Sequence, residues 1–250
     1  MRKIAWGAIS SALISQALFW LLPGIGRAEN PAHLQQLLIA RECTRCDLQD
    51  VVLREADLTG VLLEEANLQN ANLREAVLTG SNLGAANLTG ADLTAAALTR
   101  VDFTQAILQD SQLSGASLTG ATFIEANLQG ADLSEAIAID TVFRGSDLTA
   151  ANLSGISLIQ AHLGQATLVA ANLQQADLYA VFMSRSDLTG ADLSGADLSN
   201  ARMIRVTLDG ANLTDADLTD AKVDGTTFEG TLFCRTIMPD RTQNDRDCPE

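Results

Sequence analysis

Ala66-Asn67-Leu68-Gln69-Asn70 runs directly into Ala71-Asn72-Leu73-Arg74-Glu75, and far downstream the same grammar returns as Ala191-Asp192-Leu193-Ser194-Gly195 and Ala196-Asp197-Leu198-Ser199-Asn200. The phase holds from Cys46 to about Arg235. From Leu48 to Phe233 every fifth residue is Leu, Phe, Met or Val, and of 38 such centres only Ala138 departs. A period of five fits neither a helix nor a flat strand, so each unit must turn a corner. Two positions before the centre sits a small residue, most often Ala. One position before it, half the units carry Asp or Asn. Two positions after it Gly is common: of the fifteen glycines beyond residue 28, thirteen fall there, where a corner needs relaxed backbone geometry. The tract has no Pro, so every backbone N–H is available to a ladder between coils. The small residue and the centre alternate across one residue and both face inward.

This A-(D/N)-L-x-x pattern resembles the pentapeptide-repeat family over some 190 of the 250 residues. The resemblance implies an all-β fold, a right-handed quadrilateral β-helix with four repeats per coil. Twenty residues per coil give about nine and a half coils and a rod about 45 Å long at the usual strand spacing.

Residues 1–28 read as a signal peptide: Arg2 and Lys3, an apolar run from Ile4 to Leu22, Pro23-Gly24, then Gly26-Arg27-Ala28 as a small-x-small cleavage site. The run is also long enough to be an uncleaved anchor. No Cys follows it closely, which argues against a lipoprotein, and no other stretch is apolar enough to span a membrane. The chain carries −15; without the leader 13 basic face 31 acidic residues, a net −18. That sign opposes phosphate binding, so no nucleic-acid partner is expected. Outward acid keeps a repetitive β surface soluble. The Asn87, Asn152 and Asn212 sequons follow from the repeat and carry no separate signal.

A stack of coils needs its ends covered. Residues 29–45 are expected to form a capping helix and linker: Asn30-Pro31 is a helix start, and Leu34, Leu37, Leu38 and Arg41 follow at helical spacing within Pro31 to Glu42. The repeats occupy 46–235, and 236–250 form a tail. The four cysteines lie at opposite ends of the rod, which rules out cross-pairing and a shared zinc site. Export favours disulfides, so Cys43–Cys46 and Cys234–Cys248 are expected, the second pinning the tail. A redox role for Cys43-x-x-Cys46 is the alternative. The segments Cys43 to Leu48 and Phe233 to Asp240 resemble the flanks of exported cyanobacterial members of the family. That resemblance implies a periplasm or thylakoid lumen, although Arg241 stands where those proteins often have Gly.

With four repeats per coil, residues twenty apart share a face. Asn72, Asp92, Gln112, Asp132, Asn152, Asn172, Asp192 and Asn212 then form a polar ladder of structural character. Another face has Phe103, Phe123, Phe143, Met183 and Met203 among its centres, an internal ladder filling the tube. Its outside carries Val142, Arg144, His162, Phe182, Arg185, Arg202, Arg205 and Lys222, with Ile204 between, and the adjoining corner and face add Ile137, Ile139 and Tyr179. Arg beside exposed aromatics is the composition of an interface core; isolated exposed apolar residues are the plain alternative.

Catalysis finds no footing. His33 falls on the lid and His162 on the outer wall, neither near a Ser or Cys in its column. The glycines mark corners rather than a phosphate loop, and a convex rod offers no deep pocket. No catalytic residue, metal or cofactor is expected. The favoured reading is a non-enzymatic binding or scaffold rod facing a protein partner, another copy of itself included, in an oxidising compartment. One alternative comes from resemblance to the quinolone-resistance members of the family, acidic rods that mimic DNA and occupy a topoisomerase. The leader opposes it. A redox or metal-handling role for the Cys pairs is the other.

Overall fold

The computed structural model describes residues 30–249; the leader expected at 1–28 lies outside them. The chain winds as a β-helix. Parallel bridges join residues twenty apart in an unbroken series, from Glu42 with Leu62 to Asp217 with Ile237. Four five-residue units therefore separate each residue from the one stacked on it. The stack begins before Cys46 and continues past Arg235, because Glu42 and Ile237 both take part.

One unit shows why the sequence repeats. Ala71 N–H donates to Leu68 O at 3.0 Å and closes a turn, Asn72 N–H donates to Val51 O at 2.8 Å, Leu73 N–H to Asp92 O at 2.7 Å and Glu75 N–H to Thr94 O at 3.0 Å. The remaining donor, Arg74 N–H, goes to Asn72 Oδ1 at 3.3 Å. Four of the five backbone donors are thus used by the backbone itself, and the side chain before the centre supplies the fifth acceptor. That is the physical content of the Asp/Asn preference. Several of these side chains also reach along the stack: Asn152 Nδ2 donates to Asp132 Oδ1 at 2.9 Å, and Asn212 Nδ2 to Asp192 Oδ1 at 3.0 Å.

The turn also explains the glycines. Every fifth residue from Arg45 to Arg235 has positive φ; thirteen are Gly, and the others include Ala95 at φ 56° and Glu125 at φ 56°. Gly relieves the Cβ crowding of this region but is not obligatory for a single turn residue.

Inside, the centres and the small residues are buried almost without exception. Phe103, Phe123 and Phe143 stack with 4.8 Å between ring centroids at each step, one coil apart. Buried hydroxyls at the small positions bond to carbonyls, as Ser111 Oγ does to Leu108 O at 2.7 Å, so they add no unpaired polar group. Each buried Leu contributes about 1.5–3 kcal/mol.

Helix α1, Pro31–Ala40, closes the first coil. Asn30 accepts from Ala32 and His33 N–H, Pro31 occupies the first turn, and Arg41 ends the helix in a left-handed conformation. Leu34 and Leu37 are buried. Both expected disulfides are present, Cys43–Cys46 and Cys234–Cys248. The far end is a hairpin rather than a simple strap. Strands β1, Thr236–Ile237, and β2, Gln243–Asn244, pair antiparallel. The Arg246 guanidinium lies 4.9 Å from the Phe233 ring centroid, and Asp247 accepts Phe233 N–H at 3.0 Å.

Candidate functional site

The β-helix sorts the outward residues into columns, and one column departs from the repeat's grammar. Its bridges run Asn82, Asp102, Thr122, Val142, His162, Phe182, Arg202, Lys222. Asn82 and Asp102 make the usual turn bond, to Gly84 N–H at 2.8 Å and Thr104 N–H at 2.9 Å. The next six residues do not make it. A neighbouring column has a comparable run from Val77 to Ser157, but there the replacements are Val, Ala, Ser, Ile and Ser. Only the first column gives up six successive turn bonds for mostly large, cationic or aromatic side chains.

Those side chains stack on one another. The His162 and Phe182 rings are parallel to 7° with centroids 4.8 Å apart, and the Arg202 guanidinium sits 5.7 Å from the Phe182 centroid on the other side. Phe182 is held between them and is only half-buried, while His162, Arg202 and Lys222 are exposed. Aromatic stacking and cation–π contact hold the row in register. The bridges bring Val142, His162, Phe182, Arg202 and Lys222 together. Arg144, Arg185 and Arg205 lie beside them on the turns that follow. Tyr179, 43% exposed, stands on the preceding corner above Ile139 and Ile159.

The charges differ from those elsewhere. Arg45 pairs with Glu65 at 2.7 Å, Arg235 with Asp215 at 2.6 Å and Arg241 with Asp220 at 2.8 Å; Arg41, Arg54, Arg74 and Arg246 also have carboxylate partners. Among the described residues Arg144, Arg185, Arg202, Arg205 and Lys222 have none within 4.0 Å, a lack shared only by Arg100. Five unneutralised cations on one side of a chain at −15 form a local field opposite to that of the whole molecule.

Sequence reasoning passed over the residues across Tyr179's corner. Asp177, Asp197 and Asp217 are bridged in succession. Each uses Oδ1 for its turn, accepting from Tyr179, Ser199 and Thr219 N–H at 3.1, 2.8 and 2.8 Å. The second oxygen of each has no protein partner among the described residues. Each aspartate alone obeys the repeat and reads as structural; the missed signal was three in succession at twenty-residue steps.

Among the described residues no group of His, Cys, Asp and Glu is placed to hold a metal ion, and no helix is long and apolar enough to cross a membrane.

The family model described as pentapeptide repeats matches in eight copies, over residues 46–84, 86–123, 96–134, 126–165, 166–203 and 196–234. Among solved structures, HetL, a pentapeptide repeat protein involved in heterocyst differentiation regulation from the cyanobacterium Nostoc sp. strain PCC 7120, is 30% identical, with 86% of this chain and 99% of that one covered and a TM-score of 0.44. A pentapeptide repeat protein from the Arabidopsis thaliana thylakoid lumen is 33% identical over 46% of this chain and 66% of its own, with a TM-score of 0.26. QnrB1, a plasmid-mediated fluoroquinolone resistance protein, is 23% identical in one trypsin-treated form, over 66% of this chain and 86% of that one, with a TM-score of 0.40. No curated protein sequence matches.

Proposed function

This chain belongs to the pentapeptide-repeat family, whose repeats imply a right-handed β-helix, and from that premise we propose a non-enzymatic binding or scaffold rod that presents its Val142–Lys222 face to a protein partner. The twenty-residue bridges support a quadrilateral cross-section, one unit per side. One observation carries the functional reading: six successive turns of a single column forgo the Asx bond and carry instead a stacked row flanked by cations that have no intramolecular carboxylate. The His162–Phe182 stack and the Arg202–Phe182 contact return part of the lost stability, but no such contact forms at Thr122, Val142 or Lys222. Each forgone bond is worth about 0.5–1.5 kcal/mol. Departures from a local rule without full internal compensation concentrate at functional sites. Both disulfides support an oxidising compartment, periplasm or thylakoid lumen, and the leader at 1–28 is the proposed route to it.

The test is capture from soluble periplasmic and lumenal fractions. Wild type is compared with a variant carrying Arg144→Glu, Arg185→Glu, Arg202→Glu and Arg205→Glu. A protein retained by wild type and lost by the variant, with equal melting temperatures, supports the face. Identical capture by both, or capture by neither together with a wild type that does not associate with itself, refutes it.

A further inference from the structure

Two columns stand side by side at the same heights and are opposite in charge at two successive levels. Asp177 precedes Phe182 in one coil, Asp197 precedes Arg202 in the next, and Asp217 precedes Lys222 in the one after. The corner between the columns carries Ser199 and Thr219 at the two charged levels and Ile139, Ile159 and Tyr179 in the coils before them, where Ile137 is 48% exposed. Neither column neutralises the other within the rod: no ion pair joins Asp177, Asp197 or Asp217 to Arg202 or Lys222. The corner turns them outward, each carboxylate with one oxygen unused.

We infer that this corner is a self-complementary docking surface whose occupant is a second copy of the chain, lying alongside and parallel. A twofold axis along the rod places the aspartate column of each copy opposite the Arg202–Lys222 column of the other. Coil heights are preserved by that axis, so Asp197 meets the partner's Arg202 and Asp217 the partner's Lys222. In the coils before the charged levels the same operation brings Ile139, Ile159 and Tyr179 of the two copies together. This is the isologous arrangement of closed dimers, with an apolar strip in the earlier coils followed along the rod by two levels of complementary charge. An antiparallel pair would set aspartate against aspartate. The coil spacing is itself an argument, because a second rod of the same period matches opposite charges at both the Asp197–Arg202 and the Asp217–Lys222 levels. The inference rests on the reading of this face as an interface and names its occupant.

Sedimentation equilibrium of the full oxidised chain tests it through two variants, Asp197→Lys/Asp217→Lys and Arg202→Glu/Lys222→Glu. Wild type is expected to be a dimer. Each variant alone sets like charges against each other and should weaken association by about 10-fold or more. Mixed in equal amounts, the two variants should form a heterodimer of wild-type affinity, since one then offers two basic columns and the other two acidic ones. Circular dichroism melts confirm that each variant keeps its fold. A monomeric wild type, unimpaired variants, or a mixture that stays monomeric overturns the inference. A monomeric wild type that still captures a different protein through Arg144, Arg185, Arg202 and Arg205 overturns the second copy and leaves the interface intact. Loss of both overturns both.

Discussion

His33 Nδ1 accepts the backbone N–H of Asp47 at 2.9 Å. In later coils the equivalent donor finds a carbonyl one coil below, as Asn67 N–H finds Cys46 O at 2.8 Å. Asp47 lies in the first coil, and an imidazole on α1 substitutes for the missing layer. His33 is therefore a structural acceptor that ties the lid to the rod.

Replacing it tests this role. His33→Ala leaves the Asp47 donor unpaired and should cost about 1–3 kcal/mol, concentrated at the N-terminal end. Hydrogen exchange is expected to speed up around Cys46 to Leu53 and stay unchanged near Leu208. Uniform loss of protection along the rod would contradict a local role.

The turn bonds give a prediction of opposite sign at two places. Asn152→Ala should lower stability by about 1 kcal/mol, because Ser154 N–H loses its acceptor. Thr122→Asp should raise it by a similar amount by restoring the bond that Asn82 and Asp102 make in the same column. Urea midpoints at constant m-value decide the matter. A neutral or destabilising Thr122→Asp would mean that the face was not giving up stability.

Positive φ predicts an asymmetry among small residues. Ala95, at φ 56°, occupies the position that Gly80 holds at φ 68°. Ala95→Gly should be neutral or stabilising by up to about 1 kcal/mol, against the loss expected of Gly inside regular structure. Gly80→Val should destabilise although no atom lies within 4 Å of the added Cβ. Equal effects at both sites would show that backbone strain is not the cause.

Acid should unfold the rod through particular carboxylates. At Asp192 burial disfavours the charge, but hydrogen bonds from Ser194, Gln174 and Asn212 outweigh it and hold the carboxyl below its ordinary range. At Asp147 burial is likewise overcome by Thr149 and Gln129. A folded value below the unfolded one means that the unfolded chain binds more protons, so this stabilisation is complete above about pH 4 and is lost as pH falls through the folded values. Melting temperature should fall below about pH 4. Asp147→Asn/Asp192→Asn keeps both Oδ1 acceptors and removes the titration, so it should flatten that acid limb. An unaltered limb would assign the acid sensitivity to other groups.

The lateral rule of the fold was legible in residues 66–75 alone, because one small residue, one Asx and one large apolar residue map onto one coil side. Legibility failed where the rule is silent. The hairpin of β1 and β2 has strands of two residues, too short to impose any alternation, and its geometry depends on the disulfide and on Arg246 reaching Phe233. The Arg202 face was visible because its residues break the repeat. The Asp177 column was not, because each member does two things at once: Oδ1 serves the turn while the other oxygen faces outward. A pattern that fully accounts for a residue hides its second use.

The unbroken twenty-residue bridging also sets a quantum for changes in length. Removing residues 103–122 whole would shorten the rod by one storey and leave every column downstream in line. Removing five residues from the same region would rotate everything beyond it by one side, carrying Phe182, Arg202 and Lys222 out of line with Asn82 and Asp102 while preserving every centre and every turn. Such a chain would fold and keep its composition, yet its faces would be shuffled like the sides of a combination lock. Surface identity in this architecture is thus encoded by counting, and insertions or deletions in multiples of twenty are the ones that leave it readable.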